Sequence, residues 1–144
     1  MSTLTVRAIP EGDVWLDCHR LLQAVHRSLT LEQFRTWTRE AERRDGYTMY
    51  GAFDAGQLVG VMGMRLLWDL RHGRHLVIDD LVVDGSVAGA AVIERLLAAA
   101  EQRAAEAGGL GLRVSAPVAS ETGALFEAAG WRRTASEYAR GFDG

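Results

Sequence analysis

A strand–helix–strand unit in the second half of the chain constrains the fold most strongly. The run from Leu76 to Val83 is apolar, Gly89 to Ala107 carries a helical period, and Leu110 to Ala116 is again apolar. A crossover of this kind joins two parallel strands and is right-handed in nearly all proteins. We therefore expect two parallel strands, with the long helix packed on one face of their sheet.

The rest of the chain predicts antiparallel strands and shorter helices around this unit. Before it we expect a strand at 4–9, a helix capped by Asp13, a helix opened by the Thr30–Gln33 capping box and ended by Gly46, and strands at 47–53 and 57–67. After it we expect a helix at 120–129 and a last strand at 131–139. The predicted fold class is α/β: a mixed, mostly antiparallel sheet with one βαβ crossover and helices on both faces, in a single domain at 1–144.

Composition narrows the classes of partner. The 144 residues are 48% apolar and 24% charged, which is the size and balance of one domain with its own core. A net charge of -3 argues against a nucleic-acid-binding protein, whose surface is usually basic. No apolar run reaches the ~18 residues that cross a membrane, and the first residues lack the apolar core of a signal peptide. A cytoplasmic protein without a membrane partner is expected.

The cysteine and histidine residues indicate neither disulfide nor metal chemistry. Cys18 is the only cysteine, so an intramolecular disulfide is excluded, and its place on an apolar helix face predicts a buried thiol. The four histidines lack the spacing typical of metal ligands, so no metal site is expected.

Three stretches carry a resemblance to a known family. They are GRHLVIDDLVVD at 73–84, ERLLAAAEQRAAEAG at 94–108 and ETGALFEAAGW at 121–131. In this order and spacing the chain resembles the GNAT superfamily of acyl-CoA-dependent N-acetyltransferases. The resemblance implies that two parallel strands splay apart and that acetyl-CoA lies between them. It places the pantetheine arm on the backbone of Leu81, Val82 and Val83, and the pyrophosphate on the helix N-terminus at Ala88, Gly89, Ala90 and Ala91.

The chain departs from the family pattern at four positions. Ala88 stands where the family has Arg or Gln, and Ala91 and Ile93 stand where small residues approach the phosphates. Phe126 stands where many members have a tyrosine that protonates the departing thiolate, which a phenyl ring cannot do. No Arg or Lys lies between positions 74 and 95. These departures indicate a degenerate cofactor motif, with Ile93 close to the phosphate path.

Asp79, Asp80 and His75 are the candidate catalytic residues. Two acids inside the run LVIDDLVV are costly to bury unless they are paired or functional. The functional interpretation is a general base that deprotonates an amine directly or through water. The alternative is a buried acid bonded to backbone N–H groups at a bulge in the strand or to an arginine. Adjacent strand residues face opposite sides, so only one of the two acids is expected in the cleft. His75 shares the face of Asp79 in a regular strand, as an acid/base partner or a solvated strand end.

Five further residues are candidates for substrate binding. His26 and Arg27 are expected to end the first helix, just before the capping box. The resemblance implies that this segment between the helices helps to wall the acceptor site, although a cation at a helix C-terminus is also favourable by itself. Trp68, together with Trp37, Tyr47 and Tyr50, would line an apolar pocket or belong to the core. Ser115 would bond cofactor or substrate, or would only end its strand. Phe126 is the fifth, at the position of the family tyrosine.

Two functions are consistent with these observations. The resemblance implies an acyltransferase that moves an acetyl or acyl group from acyl-CoA to an amine of a small molecule. The departures favour a diverged protein that no longer uses CoA and binds another small molecule in the same cleft, as a cofactor-free enzyme or a binding protein. The resemblance also implies that the chain can form a homodimer.

Overall fold

A computed structural model describes residues 3–85, 87–115, 120–135 and 138–141 of the chain. Its elements are β1 (Leu4–Ala8), α1 (Trp15–Gln23), α2 (Leu31–Asp45), β2 (Thr48–Asp54), β3 (Gln57–Asp69), β4 (Gly73–Val83), α3 (Gly89–Glu106), β5 (Gly111–Val114) and α4 (Ser120–Ala128). No helix in these ranges combines the length and apolar character that crossing a membrane requires.

The described strands form one five-stranded sheet in the order β1-β2-β3-β4-β5. The first three neighbouring pairs are antiparallel, and β4 pairs with β5 in parallel through α3. The predicted mixed sheet with a βαβ crossover is confirmed. The crossover forms as expected because α3 buries a continuous apolar face that includes Val92, Leu96 and Ala100.

The two faces of the sheet have different covers. On one face α1 and α2 bury Cys18, Leu22 and Phe34 against β2 and β3. On the other face α3 buries Leu96 and Ala100 against the central strands. The sheet is therefore sandwiched between helices, and every β4 side chain points either to the α1/α2 face or to the α3 face.

The helix ends were only partly predicted. The capping box at Thr30 and Gln33 is present, and Gly46 ends α2 in the left-handed region at φ 64°. The Asp13 cap is wrong, because the Asp13 carboxylate pairs with Arg7 and the helix begins after Val14, whose side chain makes no cap bond.

The predicted last strand at 131–139 is wrong for the part of it that the structure describes. Residues 131–135 and 138–139 are irregular. The Trp131 N–H donates to the Phe126 carbonyl, and the two rings lie 5.3 Å apart, so the chain folds back on α4. The segment also lacks an alternating apolar face, and Tyr138 is 93% exposed, so a strand here would bury little surface.

Candidate active site

Within the described residues, the pairing of β4 with β5 ends halfway along β4. Their last described pair is Ile78 with Val114, and the Ser115 N–H donates to the Ile78 carbonyl at 2.8 Å. β4 continues to Val83 and pairs there with β3 only, as far as the structure describes the chain. Among the described residues, the edge of β4 from Asp79 to Val83 is therefore open to a ligand that hydrogen-bonds like a strand.

The backbone of this open edge has a defined orientation. The Asp84 N–H donates to the Val59 carbonyl at 2.8 Å, so Asp84 points its backbone groups toward β3. Alternation along an antiparallel strand gives Val82 the same direction and turns the N–H and C=O groups of Leu81 and Val83 outward. Of the three residues predicted to meet a pantetheine arm, Leu81 and Val83 therefore face the opening and Val82 faces β3.

The N-terminus of α3 lies just beyond the open edge. Ala88 is its N-cap residue and its side chain makes no cap bond, and the first turn carries no acid. The first intrahelical bond runs from Val92 N–H to the Ala88 carbonyl, so the N–H groups of Gly89, Ala90 and Ala91 are not used by the helix. Uncapped N–H groups at the positive end of a helix dipole suit a phosphate.

Ile93 and Phe126 lie away from this opening. Ile93 is 7% exposed and packs in the apolar core beneath α3, so the expectation that it borders the phosphate path is wrong. Its position on the helix turns it toward the sheet, one turn after the N-cap. Phe126 is also buried in that core, against Trp131, and contributes packing in place of a phenolic donor.

Shortening Ile93 to valine tests this placement. We expect Ile93→Val to lower the free energy of unfolding by about 0.5–1.5 kcal/mol, the usual cost of removing one buried methylene. Urea titration measures the change. Leu16→Ala, at a site 66% exposed, is the control and should change stability by less than about 0.5 kcal/mol. An equal effect of the two variants would contradict a buried Ile93.

A β-bulge lies in β4 at the predicted acid pair. Gly63 of β3 pairs with Asp80, whereas its neighbour Met64 pairs with Ile78. Asp79 is therefore an extra residue on β4 with no partner of its own on β3. The regular alternation that was assumed for the two acids is broken at this point.

The bulge turns both carboxylates to the α1/α2 face. Asp80 contacts Tyr47, which belongs to the core under α1 and α2. Asp79 contacts Arg65, which lies two residues from Gly63 on β3 and so on that same face. The expectation that the two acids face opposite sides of the sheet is therefore wrong, because it assumed a regular strand.

Asp80 is held by two side chains from different connecting segments, one just before β2 and one between α1 and α2. The Tyr47 hydroxyl donates to Asp80 Oδ2 at 2.7 Å, and His26 Nε2 lies 3.3 Å from Asp80 Oδ1. Gly63 makes this possible, because a Cβ atom there would overlap the Tyr47 hydroxyl. Burial and the neighbouring Asp80 charge raise the pKa of Tyr47 well above its ordinary value, so Tyr47 remains a donor. Asp80, His26 and Tyr47 are called the Asp80 triad below.

Asp79 has a different environment. Its Oδ2 accepts a hydrogen bond from Arg65 Nε at 2.6 Å, in a pair whose side chains are 26% and 29% exposed. Burial raises the pKa of Asp79, and the Arg65 hydrogen bond opposes that rise. The alternative in which one of the two acids is paired with an arginine therefore describes Asp79, and Asp80 is the stronger candidate base.

His26 carries the clearest pH signature of the site. The hydrogen bond to Asp80 raises the pKa of His26 above 6.5 and outweighs partial burial. A raised folded-state pKa adds stability that is complete below pH 6.5 and is lost as the pH rises through the raised value.

We expect an NMR titration of His26 to have its midpoint above 6.5 in the native protein. Asp80→Asn should lower that midpoint, because the amide cannot stabilise the imidazolium as a carboxylate does. Asp79→Asn is the matched control and should move the His26 midpoint less. An unchanged midpoint in Asp80→Asn would contradict the contact.

The other predicted site residues are spread over the fold. Arg27 is exposed in the segment after His26. Ser115 marks the point where the two strands separate. Trp68 is 71% exposed near the far end of the β3–β4 hairpin, away from the Asp80 triad. Cys18 is fully buried, and burial raises its pKa to about 12, so the thiol is no nucleophile.

His75 does not pair with Asp79. It is 2% exposed, its Nδ1 lies 2.8 Å from the Gly73 carbonyl, and Arg113 Nε donates to its Nε2 at 3.3 Å. A residue so enclosed cannot reach a substrate, and the proposed acid/base pair is not formed. His75 instead lies beside Asp69 and His72, with ligand atoms within 4.8 Å of one another. The interpretation of the histidines as scattered is therefore wrong for His72 and His75.

Sequence comparison adds a family match to this geometry. The sequence model of the acetyltransferase (GNAT) family matches residues 14–131, which include the bulge, the open edge and α3. No curated protein matches the sequence significantly.

Solved structures with this fold are numerous. An aminoglycoside N-acetyltransferase, AAC(6')-Iy, in complex with CoA superposes with a TM-score of 0.78 at 13% identity, covering 99% of this chain and 96% of the other. A ribosomal-protein-alanine N-acetyltransferase from Brucella melitensis biovar Abortus 2308 has a TM-score of 0.76 at 20% identity, with 96% and 99% covered. A GCN5-related N-acetyltransferase from Ralstonia eutropha JMP134 has 0.73 at 21% identity, with 98% and 99% covered. At these identities the likeness shows the fold.

Proposed function

Because the chain belongs to the GNAT acetyltransferase family, we propose that it transfers an acyl group from acyl-CoA to an amine of a small molecule. Family membership supports acyl transfer from acyl-CoA in general. The observation that carries the finer proposal is the open edge of β4, which leads to an uncapped helix N-terminus and bears the Asp80 carboxylate on the same strand segment.

The residues along this edge fit an acyl-CoA. Leu81 and Val83 would pair with the amide groups of the pantetheine arm, as one strand pairs with the next. The N–H groups of Gly89, Ala90 and Ala91 would hold the pyrophosphate. Ala88, Ala90 and Ala91 are exposed, so their methyl groups leave the backbone accessible. The helix can therefore supply N–H donors although it lacks the family's Arg or Gln and glycines.

The Asp80 triad would accept the proton that the acceptor amine loses. Bound acyl-CoA supplies a thioester carbonyl that an amine can attack. The Asp80–His26 pair takes the proton that the amine loses as its nitrogen bonds to the carbonyl carbon, and the carbon–sulfur bond breaks. The Tyr47 hydroxyl keeps the Asp80 carboxylate in place. Phe126 offers no donor, so the departing thiolate takes its proton from solvent.

Direct assay of the reaction tests the proposal. The native protein is mixed with acetyl-CoA and a panel of primary amines, from small diamines to amino sugars, and free thiol release is followed together with acetylated product. We expect amine-dependent thiol release above the hydrolysis seen without amine. Binding of CoA with no amine-dependent release from any member of the panel would contradict acyl transfer to a small amine.

A further inference from the structure

A second polar cluster lies at the end of the sheet that the β3–β4 hairpin forms. It consists of Asp69 at the end of β3, His72 in the turn and His75 in β4, with Arg113 of β5 beside them. Asp69 Oδ2 lies 3.5 Å from His72 Nδ1 and 3.8 Å from His75 Nε2. Ligands at the zinc distances of about 2.0–2.1 Å stand ~3.4 Å apart around a tetrahedral ion, so these separations approach that arrangement.

The protonation of His75 suits a metal ligand. Its Nδ1 donates to the Gly73 carbonyl at 2.8 Å, which fixes the proton on that nitrogen and leaves the lone pair on Nε2. The donation by Arg113 Nε to this same Nε2 requires that lone pair. A histidine that binds a metal through one ring nitrogen usually donates the N–H of the other to a backbone carbonyl or a carboxylate. The contact from His75 Nδ1 to Gly73 is of this kind. His75 is 2% exposed, so this lone pair is held in a fixed direction inside the protein.

The Arg113 guanidinium supplies the positive charge that a metal ion would supply in this cluster. It donates to the buried His75 lone pair and comes within 3.9 Å of Asp69 Oδ2. The Arg113 side chain is 29% exposed, so it has a path to turn toward solvent. Asp69 ends β3 and His72 lies in the short hairpin connection that follows, where small backbone shifts can bring the third ligand closer.

We propose that Asp69, His72 and His75 bind a zinc ion, with Arg113 displaced to solvent and water in the fourth position. Carboxylate and imidazole ligands with one open position are a set that Zn²⁺ accepts in proteins. The ligands follow the short spacing D-x-x-H-x-x-H within a single hairpin, so the site needs no partner chain. It lies outside the Asp80 triad and does not rest on the proposed acyl transfer.

Isothermal titration calorimetry of the native protein with zinc chloride tests the site. We expect one ion per chain and an affinity that falls as the pH drops and the imidazoles protonate. His72→Gln should weaken zinc binding at least about tenfold, since it removes one exposed ligand without touching the buried histidine. Arg113→Gln should strengthen binding, because it removes the competing charge.

His19→Gln is the matched control, since it removes a histidine elsewhere that contacts the Leu29 carbonyl and the Phe34 ring and none of the cluster residues in the described contacts. It should leave zinc affinity unchanged. Circular dichroism of each variant checks that the fold is retained. No zinc binding by the native protein, or equal affinities in the native protein and His72→Gln, would overturn the proposal.

Discussion

Replacing Asp80 with asparagine should lower kcat for amine acylation by about 10²–10⁴-fold, the usual contribution of a general base. The amide keeps the size of the side chain and can still accept the Tyr47 hydrogen bond, so the fold should survive. The amide cannot act as a base, and it cannot stabilise the protonated form of His26. Steady-state kinetics with a saturating amine, with CoA affinity measured separately, detects the loss.

Two comparisons give this prediction its specificity. Asp13→Asn alters an exposed carboxylate that pairs with Arg7 and is far from the bulge in sequence. This substitution should leave kcat unchanged. Tyr47→Phe removes only the donor to Asp80 and should lower kcat by less than Asp80→Asn. A native kcat in Asp80→Asn, with the amine saturating, would contradict the role of Asp80 as base.

Replacing Ala90 with glutamate should weaken CoA binding by about tenfold or more while leaving the fold as stable or slightly more stable. An acid in the first turn interacts favourably with the helix dipole, by roughly 0.3–1 kcal/mol. The same charge would repel a pyrophosphate that uses the N–H groups of this turn. Stability and CoA affinity should therefore change in opposite directions, which a general disturbance of the helix would not produce.

Ala98→Glu is the matched control for this prediction. Ala98 is exposed on α3 two turns after Ala90. The substitution Ala98→Glu therefore adds the same charge to the same helix, away from its N-terminus. Calorimetric titration with CoA should give native affinity for Ala98→Glu and reduced affinity for Ala90→Glu. Equal affinities would show that the α3 N-terminus does not hold the pyrophosphate.

The fold could be predicted from periodicity because its elements carry strong local signals. The apolar face of α3, the capping box at Thr30 and the turn at Gly46 each specify their own element. The last strand was mispredicted because the Trp131 N–H bonds back to the Phe126 carbonyl five residues earlier, which holds the expected start of the strand against the end of α4.

The site could be predicted only in part. Asp80 was one of two candidate acids, and the open edge was implied by the family resemblance. The position of the bulge at Asp79 depends on the register of β4 against β3, which a single strand does not encode. Tyr47 was noticed only as an aromatic, and its bond to Asp80 depends on the absent side chain of Gly63. His26 lies 54 positions from Asp80, so only the folded chain brings them together.

The spacing of the hairpin cluster was visible in the sequence. Asp69, His72 and His75 stand three residues apart in DLRHGRH, but they belong to two strands and the turn between them, where no helix or strand period predicts a common face. A tight turn between β3 and β4 brings the three together, and the turn became a signal only once the strand ends were known.

Titration of the native protein with CoA, and separately with acetyl-CoA, tests the central claim most directly. The claim is that the open edge of β4 and the N-terminus of α3 hold an acyl-CoA. We expect saturable binding of one ligand per chain, with a rise in Tm that increases with ligand concentration, because a ligand that binds only the folded state stabilises it by mass action. The absence of both heat and Tm shift at millimolar CoA would contradict the claim and favour a family member that uses this cleft for another small molecule.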